Sequence, residues 1–208
     1  MGVQERRRRE REARERAILE AAKEVFLEKG FEFATVEEIA QRAELGKGTL
    51  YSYFRNKEEI YLALLGEGVE ELFEEIEGVL RMSLGTEEMI ERLARVYFGY
   101  YRRNRAFFRI FVFGRRRSPF SVLPRELVRP HIERGIRCLG LLSEVLRRGM
   151  EEGRFREQDP WRATILCWAL INGLLFLYED DINREIMGLE LGDLTTSAIE
   201  FCLKGLKG

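Results

Sequence analysis

The chain has 208 residues, 45% of them hydrophobic, with 35 Lys and Arg against 36 Asp and Glu for a formal net charge of −1. That length suits one large domain or two small ones sharing a core, and the balance leaves any nucleic-acid surface to the distribution of cations, not their sum. Cys138, Cys167 and Cys202 are odd in number and form no Cys-x-x-Cys pair, which argues against a disulfide framework or zinc site and for a reducing, cytoplasmic compartment.

Proline is scarce, at 4, and Ala, Leu, Glu and Arg dominate, so the composition points to an all-α fold. Residues 1–60 hold 13 Lys and Arg against 13 Asp and Glu. The chain opens on a charged arm with seven arginines (6, 7, 8, 9, 11, 14 and 16) and four glutamates (5, 10, 12 and 15). Lacking an apolar core, the arm is no signal peptide. It either frays in solvent or, beside a DNA-binding unit, tracks phosphates or enters a minor groove. Ile18, Ala22, Val25 and Phe26 then recur at helical spacing, and Gly30 ends that helix just after Lys29. Phe31 and Phe33 read as core.

Thr35 caps a helix over Val36–Ala43, and Glu38, three residues on, completes a capping box. Glu44-Leu45-Gly46 is long enough only for a tight turn. A second short helix runs from about Lys47 to Phe54. Its Leu50 and Phe54 lie four apart and face inward, leaving Lys47, Thr49, Tyr51 and Tyr53 for another surface. Asn56 caps the helix opened at Lys57. Two short helices joined by a three-residue turn, the second polar and aromatic outside, describe a DNA-binding helix-turn-helix.

The stretch RAELGKGTLYSYFRNKEEIYLALL resembles the recognition segment of the tetracycline-repressor (TetR) family of bacterial transcriptional regulators. Gly48-Thr49-Leu50-Tyr51, Tyr53-Phe54 and Lys57-Glu58 stand in that family's order and spacing, and the match covers roughly Arg14 to Leu65. Two departures are visible. Glu44 stands where the family often has Gly, at an expected left-handed position, and Gly46 stands where Ser commonly caps the recognition helix. The resemblance implies that Lys47, Gly48, Thr49 and Leu50 face the major groove, with Gly48 allowing close backbone approach and Thr49 offering a hydroxyl and a methyl to base edges. It also implies that Tyr51, Tyr53 and Lys57 hold phosphates, as does the capped helix start at Thr35. Residues 1–56 would be the DNA-binding domain and 57–208 a helical effector-binding and dimerisation domain.

The helix from Lys57 carries Tyr61, Leu64, Leu65, Val69, Leu72, Phe73 and Ile76 before Gly78; Gly66 and Gly68 are points where it can bend. In proteins of this resemblance it transmits ligand binding to the DNA-reading domain. Thr86 starts a helix with Met89, Ile90, Leu93, Val96, Tyr97, Tyr100 and Tyr101 on one face, interrupted at Asn104, and Arg105–Phe113 is dense in aromatics. Gly114–Pro124 reads as an exposed connection, followed by a long helix from about Pro124 to Gly149 or Glu152 that Pro130 can kink. Asp159-Pro160 is a strong helix start, and the helix that follows is apolar nearly all round. Such a helix must be covered on every side. The economical cover is a second copy of the chain, pairing this helix and the last one (about Leu194–Lys207) in a four-helix bundle through Trp161, Ile165, Trp168, Asn172, Leu194, Ala198 and Phe201. The family resemblance implies the same homodimer. The longest apolar run, Ala163–Tyr178, is short for a membrane span, and no membrane is expected.

A pocket among the middle helices is also implied by the resemblance, with Tyr97, Tyr101, Phe107, Phe108, Phe111, Trp168 and Phe176 as candidate lining, although core packing is the ordinary role of each. Arg105 and Arg109, four apart, either anchor an anionic ligand or sit in solvent. The sequence therefore leads to a repressor that binds a palindromic double-stranded operator as a homodimer and is released by a small lipophilic effector, with no cofactor and no metal. Two rivals stand beside it: a DNA-binding regulator without an effector, and a helical-bundle enzyme. The second is disfavoured because a di-iron bundle needs two Glu-x-x-His motifs. The chain has one histidine, His131, with Val128 three residues before it, and no G-x-S-x-G, P-loop or dinucleotide fingerprint.

Overall fold

The computed structural model describes residues 2–113 and 123–207, so the connection expected over Gly114–Pro124 lies largely outside the described residues. The described elements are all helical: α1 (Val3–Lys29), α2 (Val36–Arg42), α3 (Lys47–Tyr51), α4 (Lys57–Leu80), α5 (Thr86–Arg103), α6 (Arg105–Phe107) running into a π-helical turn over Phe108–Val112, α7 (Arg125–Glu151), α8 (Pro160–Tyr178), α9 (Asp181–Met187) and α10 (Leu191–Lys207). The chain divides into two compact units. The first comprises residues 1–69 and 105–131, the second 70–104 and 132–208.

The first unit reaches past the boundary expected after residue 56, and its core gives the reason. Ile60, Tyr61, Leu64 and Leu65 of α4 are buried with Ile18, Ala22, Val25 and Phe26 of α1, Ile39 and Ala40 of α2, and Leu50 and Phe54 at the second helix of the motif. Tyr61 is fully buried, its ring 5.7 Å from Phe26, 4.8 Å from Phe31 and 4.7 Å from Phe111. Phe33, expected in the core, is 65% exposed. The charged arm is part of α1 itself. Its turns are held by ion pairs at helical spacing, Arg6 to Glu10, Arg8 to Glu5 and Glu12, and Arg9 to Glu5.

In the second unit Val79, Met89, Ile90, Leu93, Val145, Leu146, Phe155, Ala163 and Leu206 form the core. Gly149 is buried where a Cβ would lie 2.3 Å from the Phe155 ring, so only glycine lets α7 pass this close. Asp159 caps α8 by accepting from the Arg162 N–H at 2.8 Å, with Pro160 in the first turn. The sequence reading missed α9, which Asp180 caps and which Gly188 ends in the left-handed region at φ 59°. With its first turn included, α8 reaches 19 residues at a mean hydropathy of 1.4; among the described residues it is the one helix long and apolar enough to cross a membrane.

Candidate nucleic-acid interface

The helix-turn-helix is assembled by local chemistry. Thr35 and Glu38 form the expected capping box: the Glu38 N–H donates to Thr35 Oγ1 at 3.3 Å, and the Thr35 N–H donates to Glu38 Oε2 at 3.2 Å. The turn closes as a Schellman motif, with the Leu45 N–H donating to the Ala40 carbonyl at 2.9 Å and the Glu44 N–H to that of Gln41 at 3.1 Å. Glu44 takes the left-handed position at φ 56°, the single non-glycine residue with positive φ among those described. Gly46 caps α3 without a side-chain bond. Regular α-helix stops at Tyr51, but the N–H groups of Tyr53 and Phe54 both donate to the Leu50 carbonyl, so helical turns continue to Phe54.

Leu50 is fully buried and anchors α3 from below, so it cannot touch a base edge. What α3 offers outward is Lys47, Gly48 and Tyr51, all exposed, with Thr49 and Tyr53 half-buried beside them. A Cβ on Gly48 would meet nothing within 4 Å, which leaves open space over the backbone. Lys47 is ion-paired with Glu37 of α2 and lies 5.8 Å from the centre of the Tyr51 ring. The Glu37 hydrogen bond raises the Lys47 pKa above its usual value, and the same bond lowers that of Glu37. Lys57 is placed differently from expectation. Its Nζ donates to the carbonyls of Phe31 (2.8 Å), Glu32 (3.1 Å) and Ala34 (3.0 Å), and sits 4.7 Å from the Phe31 ring centre. All three ammonium donors are spent on the α1–α2 connection, which makes Lys57 a structural clamp rather than a phosphate contact. Arg11, which sequence reasoning did not single out, lies over the Tyr53 ring at 5.9 Å.

The pocket candidates are shared between the two units. Phe107, Phe108 and Phe111 belong to the first unit, where Phe107 and Phe111 pack on its core and Phe108 is fully buried. The others are in the second unit. Tyr97 donates to Asn172 Oδ1 at 2.8 Å, and Tyr101, fully buried, bonds to the Glu179 carboxylate. Burial pushes the Tyr97 hydroxyl up to about 12, so it remains a donor at neutral pH.

The expected dimer contacts divide by face. Leu194 and Ala198 are buried within their own unit, and Asn172 is engaged by Tyr97 and by the Trp168 carbonyl. Trp161, Trp168 and Phe201 face outward, the last 69% exposed, while Ile165 is half-buried. Phe176, expected in a pocket, is exposed too. With Leu166 (61% exposed), Ala169, Gly173 and Leu177 it forms a continuous outward stripe on α8.

Comparison with known proteins agrees with this geometry. Residues 18–64 match the family model described as bacterial regulatory proteins, tetR family. The chain is 25% identical over 194 residues to a fatty acid metabolism regulator protein of Bacillus subtilis, covering 91% of this chain and 93% of the relative. The TetR-family regulator PfmR of Thermus thermophilus superposes with a TM-score of 0.76 at 26% identity, covering 92% of this chain and 99% of that one. FadR of Bacillus subtilis, solved in complex with stearoyl-CoA, shares the fold at a TM-score of 0.75 and 23% identity over 91% of this chain and 97% of that one. A capped helix-turn-helix with a polar, aromatic outer face, among described elements that are all helical, is thus what it resembled in sequence: residues 18–64 carry the tetR-family segment, and the chain as a whole is similar to DNA-binding transcriptional regulators.

Proposed function

We propose that this regulator binds a palindromic operator in the cytoplasm as a homodimer and leaves it when an acyl-chain effector, a fatty acid or its coenzyme A thioester, occupies the second unit. The observation that carries the reading is the outer face of α3, where Lys47, Gly48 and Tyr51 stand open, with Thr49 half-buried beside them, above a buried Leu50. An element of this shape and polarity fits a major groove, and two copies related by a two-fold axis read half-sites one or more helical turns apart.

The dimer is supported by the outward stripe of α8 together with Phe201 of α10. A contiguous apolar surface of this kind calls for a partner, and a second copy covers it with the same stripe. The same cover accounts for a 19-residue apolar helix without recourse to a bilayer. The effector reading is supported by the part-buried Tyr97–Asn172 and Tyr101–Glu179 pairs, polar anchors within an apolar helical unit. The relatives point the same way, one named for fatty acid metabolism and one solved with stearoyl-CoA. The mechanism requires only that the effector bind a conformer with misplaced recognition helices more tightly than the operator-bound one.

The test is selection of bound sites from a random duplex library, with and without long-chain acyl-CoA. A palindrome recovered only without acyl-CoA supports the whole reading. A palindrome indifferent to acyl-CoA removes the effector, and no enriched sequence removes the operator as well.

A further inference from the structure

The arginines of the arm are sorted by face. On an α-helix each residue turns about 100°, so Arg7, Arg11 and Arg14 fall within about 60° of one another and in line with Ile18 and Val25, the buried face of α1. Glu5 and Arg9 fall on the opposite face and pair there, Arg8, about five turns before Phe26, pairs with Glu5 and Glu12 at one side, and Arg6 pairs with Glu10 at the other. Arg7, Arg11 and Arg14 have no ion pair with a carboxylate among the described residues. The stripe therefore leaves the core and continues above the helix-turn-helix as a row of uncompensated cations. Arg11 lying over Tyr53 shows which way the row looks: toward the far end of the DNA-reading segment.

We propose that the first turns of α1 are a rigid helical extension of the DNA interface, in which Arg7, Arg11 and Arg14 hold phosphates of the duplex flanking each half-site. The inference rests on the operator-binding reading above and adds a second contact to it. The helix is already formed, its outer face stapled by ion pairs, so the arm reaches the duplex without an ordering cost at the moment of binding. From Arg7 to Arg14 the row spans about 10 Å, and it carries no sequence preference because phosphate contacts position rather than specify.

The experiment measures affinity for the selected operator against salt concentration, for the full-length protein, its Arg7/Arg11/Arg14→Gln variant and its Arg7/Arg11/Arg14→Lys variant. Each phosphate contact contributes about 0.9 to the slope of log K on log salt, so the Gln variant should show a slope shallower by about 2 to 3 per protomer, at an unchanged melting temperature. The Lys variant should keep the slope, and trimming the duplex flanks should weaken the parent protein but not the Gln variant. A Gln variant with the parental slope overturns the inference while leaving operator binding intact. A parent protein that binds no duplex overturns both.

Discussion

Replacing Lys57 separates two roles that sequence position alone does not distinguish. In Lys57→Met the aliphatic stem remains and the ammonium goes, taking three bonds to the carbonyls of Phe31, Glu32 and Ala34. A hydrogen bond to a charged group contributes about 1.5–3 kcal/mol. The Phe31 and Ala34 bonds are part-buried, whereas the Glu32 carbonyl is exposed and regains water. Taking the two part-buried bonds at the low end gives about 3 kcal/mol. For a chain of this size that is a melting temperature lower by about 6–12 °C. Thermal unfolding followed by circular dichroism reads the loss, and operator affinity against salt, measured well below the transition, reads the other role. A structural clamp leaves the salt slope unchanged; a phosphate ligand would flatten it by about 0.9 per protomer. A variant as stable as the parent but with a shallower slope would refute the structural assignment.

Four further outcomes are expected. Glu44→Gly should stabilise the protein by about 1 kcal/mol in urea unfolding, because it relieves a left-handed backbone in a side-chain-bearing residue. Tyr51→Ala should weaken operator binding about tenfold, the equivalent of about 1.4 kcal/mol, with sedimentation unchanged. Leu166→Glu, at an exposed position on the α8 stripe, should yield monomers in sedimentation velocity at an unchanged helical content. Acid should destabilise the protein: Glu28, Glu37 and Glu38 are held below their ordinary 4.5 by hydrogen bonds from Arg42, Lys47 and Lys29 respectively. Depressed carboxyl values contribute stability above the unfolded value that is lost as pH falls through the folded ones, so the urea midpoint should drop below about pH 4.5 and stay flat above it.

What could be read without coordinates was whatever depends on neighbours in sequence. The Thr35–Glu38 box, the left-handed Glu44 and the Asp159-Pro160 start each involve groups within a few residues. Contacts across long separations were not legible. Lys57 reaches carbonyls 23 to 26 residues away, and nothing in Asn56-Lys57-Glu58 distinguishes an ammonium that clamps a loop from one that awaits a phosphate. The α8 and α10 faces failed for a related reason. When a helix is apolar all round, periodicity identifies stripes but not which stripe its own unit claims. Leu194 and Ala198 turned inward, and Leu166, Phe176 and Phe201 were left outside. Composition likewise cannot tell core from cavity wall: of the candidate lining residues, Phe107 and Phe111 pack on the core of the first unit and Phe108 is buried outright.

The equal charge count in residues 1–60 argues against DNA binding only if every charge acts at a distance, and the pairing pattern shows that most do not. Arg42 is bound by Glu24 and Glu28, Lys29 by Glu38, Lys23 by Glu20, and the outer arm arginines by Glu5, Glu10 and Glu12. Paired charges a few ångströms apart look nearly neutral to a phosphate beyond the Debye length of about 8–10 Å. The arm cations without such a partner among the described residues are Arg7, Arg11 and Arg14, on the side of α1 from which Arg11 reaches Tyr53, and Arg16 on its far side. Lys47 is the intermediate case. Its pair with Glu37 joins two exposed side chains, a weak association in water, so a phosphate or a guanine edge competes for the ammonium that Glu37 and Tyr51 hold in place. Removing the acid by Glu37→Gln should accordingly strengthen non-specific duplex binding more than specific binding, since it frees Lys47 without giving it an address.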